Sequence, residues 1–204
     1  MSEAKTAVLI RTRHPFPDPT ELSHAWAGVV KQQFEANNWQ VIDLSEDNVT
    51  ASQVKSALQD TKSEVVIFYG HGFPSCMIAQ NREEAVVNLD NITLLKDKKV
   101  YVMACWTAQK LGEEAENIAR CYLGYDQEVF VWFEHSDCFG ESVNQGLVAM
   151  LKNSTCTYEQ AKQQMIAKYD YWIDHFYDNN FALAADLRHN RDALRLFGDI
   201  GAKL

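Results

Sequence analysis

The chain has 204 residues, 47% hydrophobic and 23% charged, the balance of a soluble globular protein long enough to bury a full core. Its formal net charge of −9 argues against nucleic acid as a bulk partner, because the phosphate backbone would be repelled. No apolar run approaches the ~18 residues that a membrane span needs.

Five widely spaced cysteines, with no CxxC, signal neither a disulfide framework nor a zinc knuckle. The first residues lack the long apolar stretch of a signal peptide, so a cytoplasmic location is expected.

Residues 7–10 (Ala-Val-Leu-Ile) read as a short strand, ended by the proline-rich loop 14–19. Thr20 is expected to cap a helix in which Leu22, Trp26, Val29, Val30 and Phe34 recur at helical spacing to about Asn37. Residues 39–44 read as a second strand. Thr50 to Gln53 has the form of a capping box, followed by Val54 and Leu58 on one helical face. Residues 64–69, rich in β-branched and aromatic side chains, make a third strand that stops at Gly70-His71-Gly72. Residues 76–79 and 85–88 flank a polar stretch and predict a small hairpin.

A fourth strand over 99–103 ends in Ala104-Cys105. Leu111, Ala115, Ile118, Ala119 and Tyr122 predict a helix stopped by Gly124, and residues 128–133 a fifth strand. Beyond Asp137 the pattern is helical throughout. Helices are expected over about 140–151, from the capping box Thr157–Gln160 onward, and over about 181–197 with Gly198 as the stop. Short apolar strands alternating with helices predict an α/β fold with a mainly parallel sheet covered on both faces. A single domain over 1–204 is expected, since no repeat, linker or low-complexity stretch interrupts the chain.

In an open parallel sheet, functional groups gather at the carboxyl ends of the strands. His71 and Cys105 each follow an apolar strand immediately, and the two strands are consecutive apart from the hairpin. If they are neighbours, their ends lie about 5 Å apart. A nearby imidazole raises the reactive thiolate fraction of a thiol whose free pKa is ~8.5, and can later protonate a leaving amine. Gly70 and Gly72 allow close backbone approach, and the N–H groups of Gly72 and Cys105 are candidate oxyanion donors. Taken singly, a cysteine after an apolar strand is usually a buried small hydrophobe and a histidine before glycine a turn residue. It is the coincidence of the two that points to a catalytic pair.

The blocks Val65-Val-Ile-Phe-Tyr-Gly-His71-Gly72 and Val100-Tyr-Val-Met-Ala104-Cys105 resemble the two signature blocks of the caspase-like (clan CD) cysteine peptidases. Ala104-Cys-Trp-Thr-Ala108 is similar to the nucleophile block of the CHAT and gingipain branches. Ala193-Leu-Arg-Leu-Phe-Gly-Asp199 is similar to their Leu-Phe-Gly-Asp-Pro ending, with Ile200 where proline is usual. The resemblance implies a caspase-like three-layer sandwich, sheet order about 2-1-3-4-5 in the strands above, with a helical C-terminal third. It also implies a cysteine endopeptidase acting on peptide or protein substrates through Cys105 as nucleophile and His71 as base, without a cofactor. The caspase nucleophile block and the long intersubunit linker are missing, so maturation by cleavage is not implied.

Clan members hold a particular side chain in a charged pocket. Arg11 and Arg13, after the first strand, would suit an acidic P1 residue (the residue on the acyl side of the scissile bond). Glu134 and Asp137 would suit a basic one, and both readings stay open. Trp106, bulky beside the nucleophile, could narrow the site. His135 is the alternative base, Cys76 can line the cleft or pack in the hairpin, and Trp172, His175 and Phe176 read as packing. A metal site from His71, Cys76, Cys105 and Cys138 lacks zinc-like spacing. Two other functions compete: a catalytically silent binding or scaffold domain, and a flavodoxin-like phosphate binder. The second is disfavoured by a glycine-free loop after strand one with three prolines.

Overall fold

The computed structural model describes residues 5–60 and 62–204. In chain order the elements are β1 (Thr6–Arg11), α1 (Thr20–Ala36), β2 (Gln40–Ser45), α2 (Ala51–Gln59), β3 (Ser63–Tyr69), β4 (Gly72–Phe73), β5 (Cys76–Ile78) and β6 (Ala85–Asn88). They continue with β7 (Lys99–Met103), α3 (Lys110–Ala115), β8 (Cys121–Tyr125), α4 (Ser136–Lys152), α5 (Tyr158–Phe176), α6 (Phe181–Asp192) and β9 (Leu194–Gly198).

The main sheet runs β2-β1-β3-β7-β8-β9, parallel except for β9, which pairs antiparallel with β8. Period-2 alternation along each strand divides its side chains between two cores. Leu9, Ile67, Tyr69, Tyr101, Leu123 and Tyr125 face the core built with α1, α4, α5 and α6. Val8, Ile10, Val66, Phe68, Val100, Val102 and Tyr122 face the one built with α2, α3 and the small antiparallel sheet β4-β5-β6. This is the three-layer α/β sandwich expected, with helices on both faces.

Buried tyrosines anchor the first core, and four of them pair their hydroxyls there as burial demands. Tyr69 donates to Asn144 Oδ1 at 2.6 Å, Tyr101 donates to the Val143 carbonyl at 2.6 Å, and Tyr125 meets the Tyr169 hydroxyl at 3.1 Å. The strands that end in His71 and Cys105 are thereby tied to α4.

Several elements differ from the sequence expectation. The fifth parallel strand is β8, not 128–133. The helix expected from 111 stops at Ala115, and Gly124 lies inside β8. Residues 128–133 cannot join the sheet because the far edge of β8 is taken by β9. The helix expected to reach Phe197 ends at Asp192, and Leu194-Arg-Leu196 alternates as a strand with Leu194 buried and Arg195 exposed. The helical C-terminal third therefore returns one strand to the sheet. At α1, Thr20 is the first helical residue rather than the cap, and Asp18 Oδ1 accepts hydrogen bonds from its N–H at 2.9 Å and its hydroxyl at 2.5 Å. The capping box at Thr157 and Gln160 is complete.

Candidate active site

The ends of β3 and β7 are coupled directly: the Gly70 N–H donates to the Met103 carbonyl at 3.2 Å. His71 and Cys105 follow at once, and both line one small cleft of about 30 Å³ together with Pro19, Thr20, Ser23, Gly70, Met103, Ala104, Val129 and Val131. The loop carrying Cys105 is folded back hard. Trp106 adopts φ 57°, a left-handed conformation that a bulky residue rarely takes, and its N–H donates to the Gln127 carbonyl at 3.0 Å. Below it, the Thr107 carbonyl accepts from the Tyr122 hydroxyl at 3.0 Å. Gly72 packs against this loop so closely that a Cβ there would lie 2.3 Å from Thr107 Cγ2 and 2.9 Å from the Cys105 carbonyl oxygen. Glycine at 72 is thus a steric requirement for bringing the two loops together.

Asp18 pairs with His71. Its Oδ2 lies 3.1 Å from His71 Nε2 and also pairs with Arg82. A carboxylate can only accept, so His71 Nε2 carries the proton and Nδ1 is the basic nitrogen. Burial works to raise the Asp18 pKa, but the Thr20 hydroxyl and amide, with His71 beside it, outweigh that and hold it at about 2. Burial lowers the His71 pKa against the opposing pull of Asp18, with Arg82 and His14 lowering it further. Burial also raises the Cys105 thiol, countered by hydrogen bonds from the Val129 N–H, 3.3 Å from Sγ, and from its own backbone. The net directions at His71 and Cys105 favour a neutral thiol beside a neutral imidazole at rest.

The charged candidates lie apart from this cleft. Arg11 forms a two-pronged pair with Asp43, Nε to Oδ1 at 2.9 Å and Nη2 to Oδ2 at 2.7 Å, and Nη1 reaches the His24 carbonyl. Arg13 pairs with Glu21 at 2.8 Å and Glu46 at 3.3 Å. Glu134 is exposed, and Asp137 lines a separate cavity of about 370 Å³ between α1, α4 and α5. Trp106 is half-buried but not among the lining residues. His135 packs against Phe176 with ring centroids 5.2 Å apart and the planes tilted by 58°, and Cys76 pairs in β5 with Asn88 of β6.

Among the described residues, the group able to hold a metal is His14, Asp18 and His71, whose ligand atoms lie within 4.8 Å of one another. The combination of His71 with Cys76, Cys105 and Cys138 does not assemble. His14 Nε2 contacts the Gln80 carbonyl at 2.7 Å, and Asp18 already holds Arg82.

Sequence reasoning missed Asp18, Arg82 and Val129. Only Asp18 had a local signal: an aspartate two residues before a threonine at a helix start, in a Pro-Asp-Pro turn. Arg82 and Val129 reach the site through tertiary contact alone.

No protein-family model and no curated protein matches the sequence. Among solved structures, the chain is similar to the Arg-specific cysteine proteinase gingipain R (RgpB), with TM-score 0.69 and 14% identity over 98% of this chain and 48% of that one. It is similar also to the complex of Porphyromonas gingivalis RgpB pro- and mature domains (TM-score 0.65, 12% identity, 98% and 48%) and to a structure described as a protease (0.66, 14%, 98% and 48%). The chain spans about half the length of these structures. What it shares with them is the fold, the mostly parallel caspase-like sheet with helices on both faces.

Proposed function

We propose that this chain is a caspase-like cysteine peptidase domain that hydrolyses peptide bonds through Cys105 and His71. The observation that carries the reading is the single cleft lined by both residues at the carboxyl ends of adjacent parallel strands, with Asp18 held against His71 Nε2.

In this reading His71 Nδ1 takes the thiol proton as Cys105 Sγ attacks the peptide carbonyl. The oxyanion is met by backbone N–H groups of Gly72 and Cys105, and Asp18 stabilises the imidazolium that forms. The proton passes from His71 to the leaving amine as the C–N bond breaks, leaving a thioester. Water, deprotonated by His71, then releases the acid and restores the thiol. Because thiol and imidazole rest neutral, the thiolate is generated by proton transfer to His71 and does not stand ready as a resting ion pair.

Iodoacetamide labelling, read residue by residue by mass spectrometry, tests the reading. Cys121 and Cys138, pushed up to about 12 by burial, are internal controls. Cys105 is expected to alkylate at least ~10-fold faster than either, and Cys105→Ala to abolish peptide hydrolysis. Equal rates at the three thiols would overturn it. The small cleft and the burial-raised thiol favour one second reading, a silent binding domain, in which Cys105→Ala would keep full biological effect.

A further inference from the structure

We propose that the cleft selects a small, uncharged P1 side chain (alanine, serine or glycine) rather than a basic or acidic one. The inference rests on the peptidase reading above and names its substrate class.

Its first support is the lining. Apart from His71, neutral at rest, every residue around the cleft is uncharged: Thr20 and Ser23 from the first turn of α1, Met103 and Ala104 from the end of β7, and Val129 and Val131 opposite. The four charged side chains that might have set specificity are elsewhere, two arginines held by carboxylates and two acids outside the lining. Asp18 cannot serve a basic P1 residue, because its oxygens already hold Thr20, His71 and Arg82. An arginine or aspartate entering this cleft would lose hydration without gaining a counter-charge.

Size is the second support. At about 30 Å³ the cleft has room for a group or two of water size, each needing ~10–15 Å³. A methyl or hydroxymethyl fills that space, and a longer side chain would have to run out of it.

The third is that the wall is braced. In the segment 128–133, alternation aims Val129 and Val131 at the cleft, while Phe130 and Trp132 contact α6. Asn190, fully buried, accepts from the Phe130 N–H at 2.9 Å and donates to its carbonyl at 2.7 Å. Trp132 Nε1 donates to Asp186 at 2.7 Å, and His189 Nε2 meets the Glu128 carbonyl at 2.9 Å. Four backbone or side-chain ties to one helix hold both valines in place. The narrowness is built into the packing and is not that of a free loop lying over an open site. Phe16 and Phe133 meet edge to face with ring centroids 4.8 Å apart, joining the Asp18 loop to this same segment.

The experiment uses the intact chain and a set of peptidyl acyloxymethyl ketones identical except at P1, with Ala, Ser, Gly, Leu, Arg or Asp. The rate of Cys105 alkylation is followed by mass spectrometry. Alanine, serine and glycine reagents are expected to react at least ~10-fold faster than leucine, arginine and aspartate, the discrimination a methylene or more commands in a fitted pocket. An arginine or aspartate reagent reacting as fast as alanine would overturn the specificity while leaving the activated thiol standing. Failure of every reagent, together with Cys105 no faster than Cys121 towards iodoacetamide, would overturn the peptidase reading and the specificity with it. In a second arm, Val131→Ala is expected to raise the leucine-to-alanine rate ratio several-fold. An unchanged ratio would show that Val131 does not wall the P1 subsite and would overturn the proposal.

Discussion

At the scale of single residues, Asp18 has the widest reach. It opens α1 through Thr20, pairs with Arg82 and orients His71, so one carboxylate links the start of a helix to the base of the site. To act as the proposed base, His71 must be neutral, and burial lowers its pKa, so the acid limb of kcat/KM is expected below the ~6.5 of a free imidazole. Asp18 acts in the opposite direction, raising that pKa. Asp18→Asn is therefore expected to move the acid limb to still lower pH and to reduce kcat by on the order of 10²- to 10⁴-fold, as loss of an orienting carboxylate does. A pH–rate profile checks this, and an unmoved limb would argue that Asp18 does not act on the base. The pair His71 and Cys105 was legible in the sequence because each is announced by the apolar strand before it. Asp18 was hidden because its partner lies far along the chain and its neighbours read simply as a turn.

At the scale of elements, the informative segment is 128–133. Its alternating Val-Phe-Val-Trp pattern carries the period of a strand, and the alternation is real: one face meets the cleft and the other meets α6. Yet its backbone pairs with a side chain, Asn190, because β9 already occupies the edge where the segment would have to bind. Periodicity reports which face a residue presents; it does not report which edge is vacant. Asn190→Ala would leave the Phe130 N–H and carbonyl without these partners. It is expected to cost ~1–3 kcal/mol, read as a lower urea midpoint at unchanged m. An undiminished midpoint would mean that water replaces the amide and the wall is not braced there.

At the scale of the whole molecule, the sheet separates two cores and presents the ends of β3 and β7 to one side. β9 closes the far edge of that sheet, with Phe197 resting against Gly112 and Tyr122 on one face and Leu194 buried on the other. A chain ending at Asp192 would bare the edge of β8, every residue of which is buried. It is expected to unfold at lower temperature and to lose soluble protein to aggregation, checked by thermal melting and light scattering; a melt like that of the full chain would count against it. No helix among the described residues is long and apolar enough to cross a membrane.

By itself the sequence determined the α/β class, the first four strands of the main sheet, two caps, and the placing of a histidine and a cysteine just past the ends of two strands. All of these depend on near neighbours, through side-chain period and local hydrogen bonds. Tertiary structure alone decided the rest: that β8 and β9 complete the sheet, that Asp18 faces His71, and that the cleft is narrow and lined without charge. Those outcomes turn on competition for one sheet edge and on ion pairs across loops. Arg11 and Arg13 look like free charges in the sequence, but the fold gives each a carboxylate, and what remains at the cleft is uncharged.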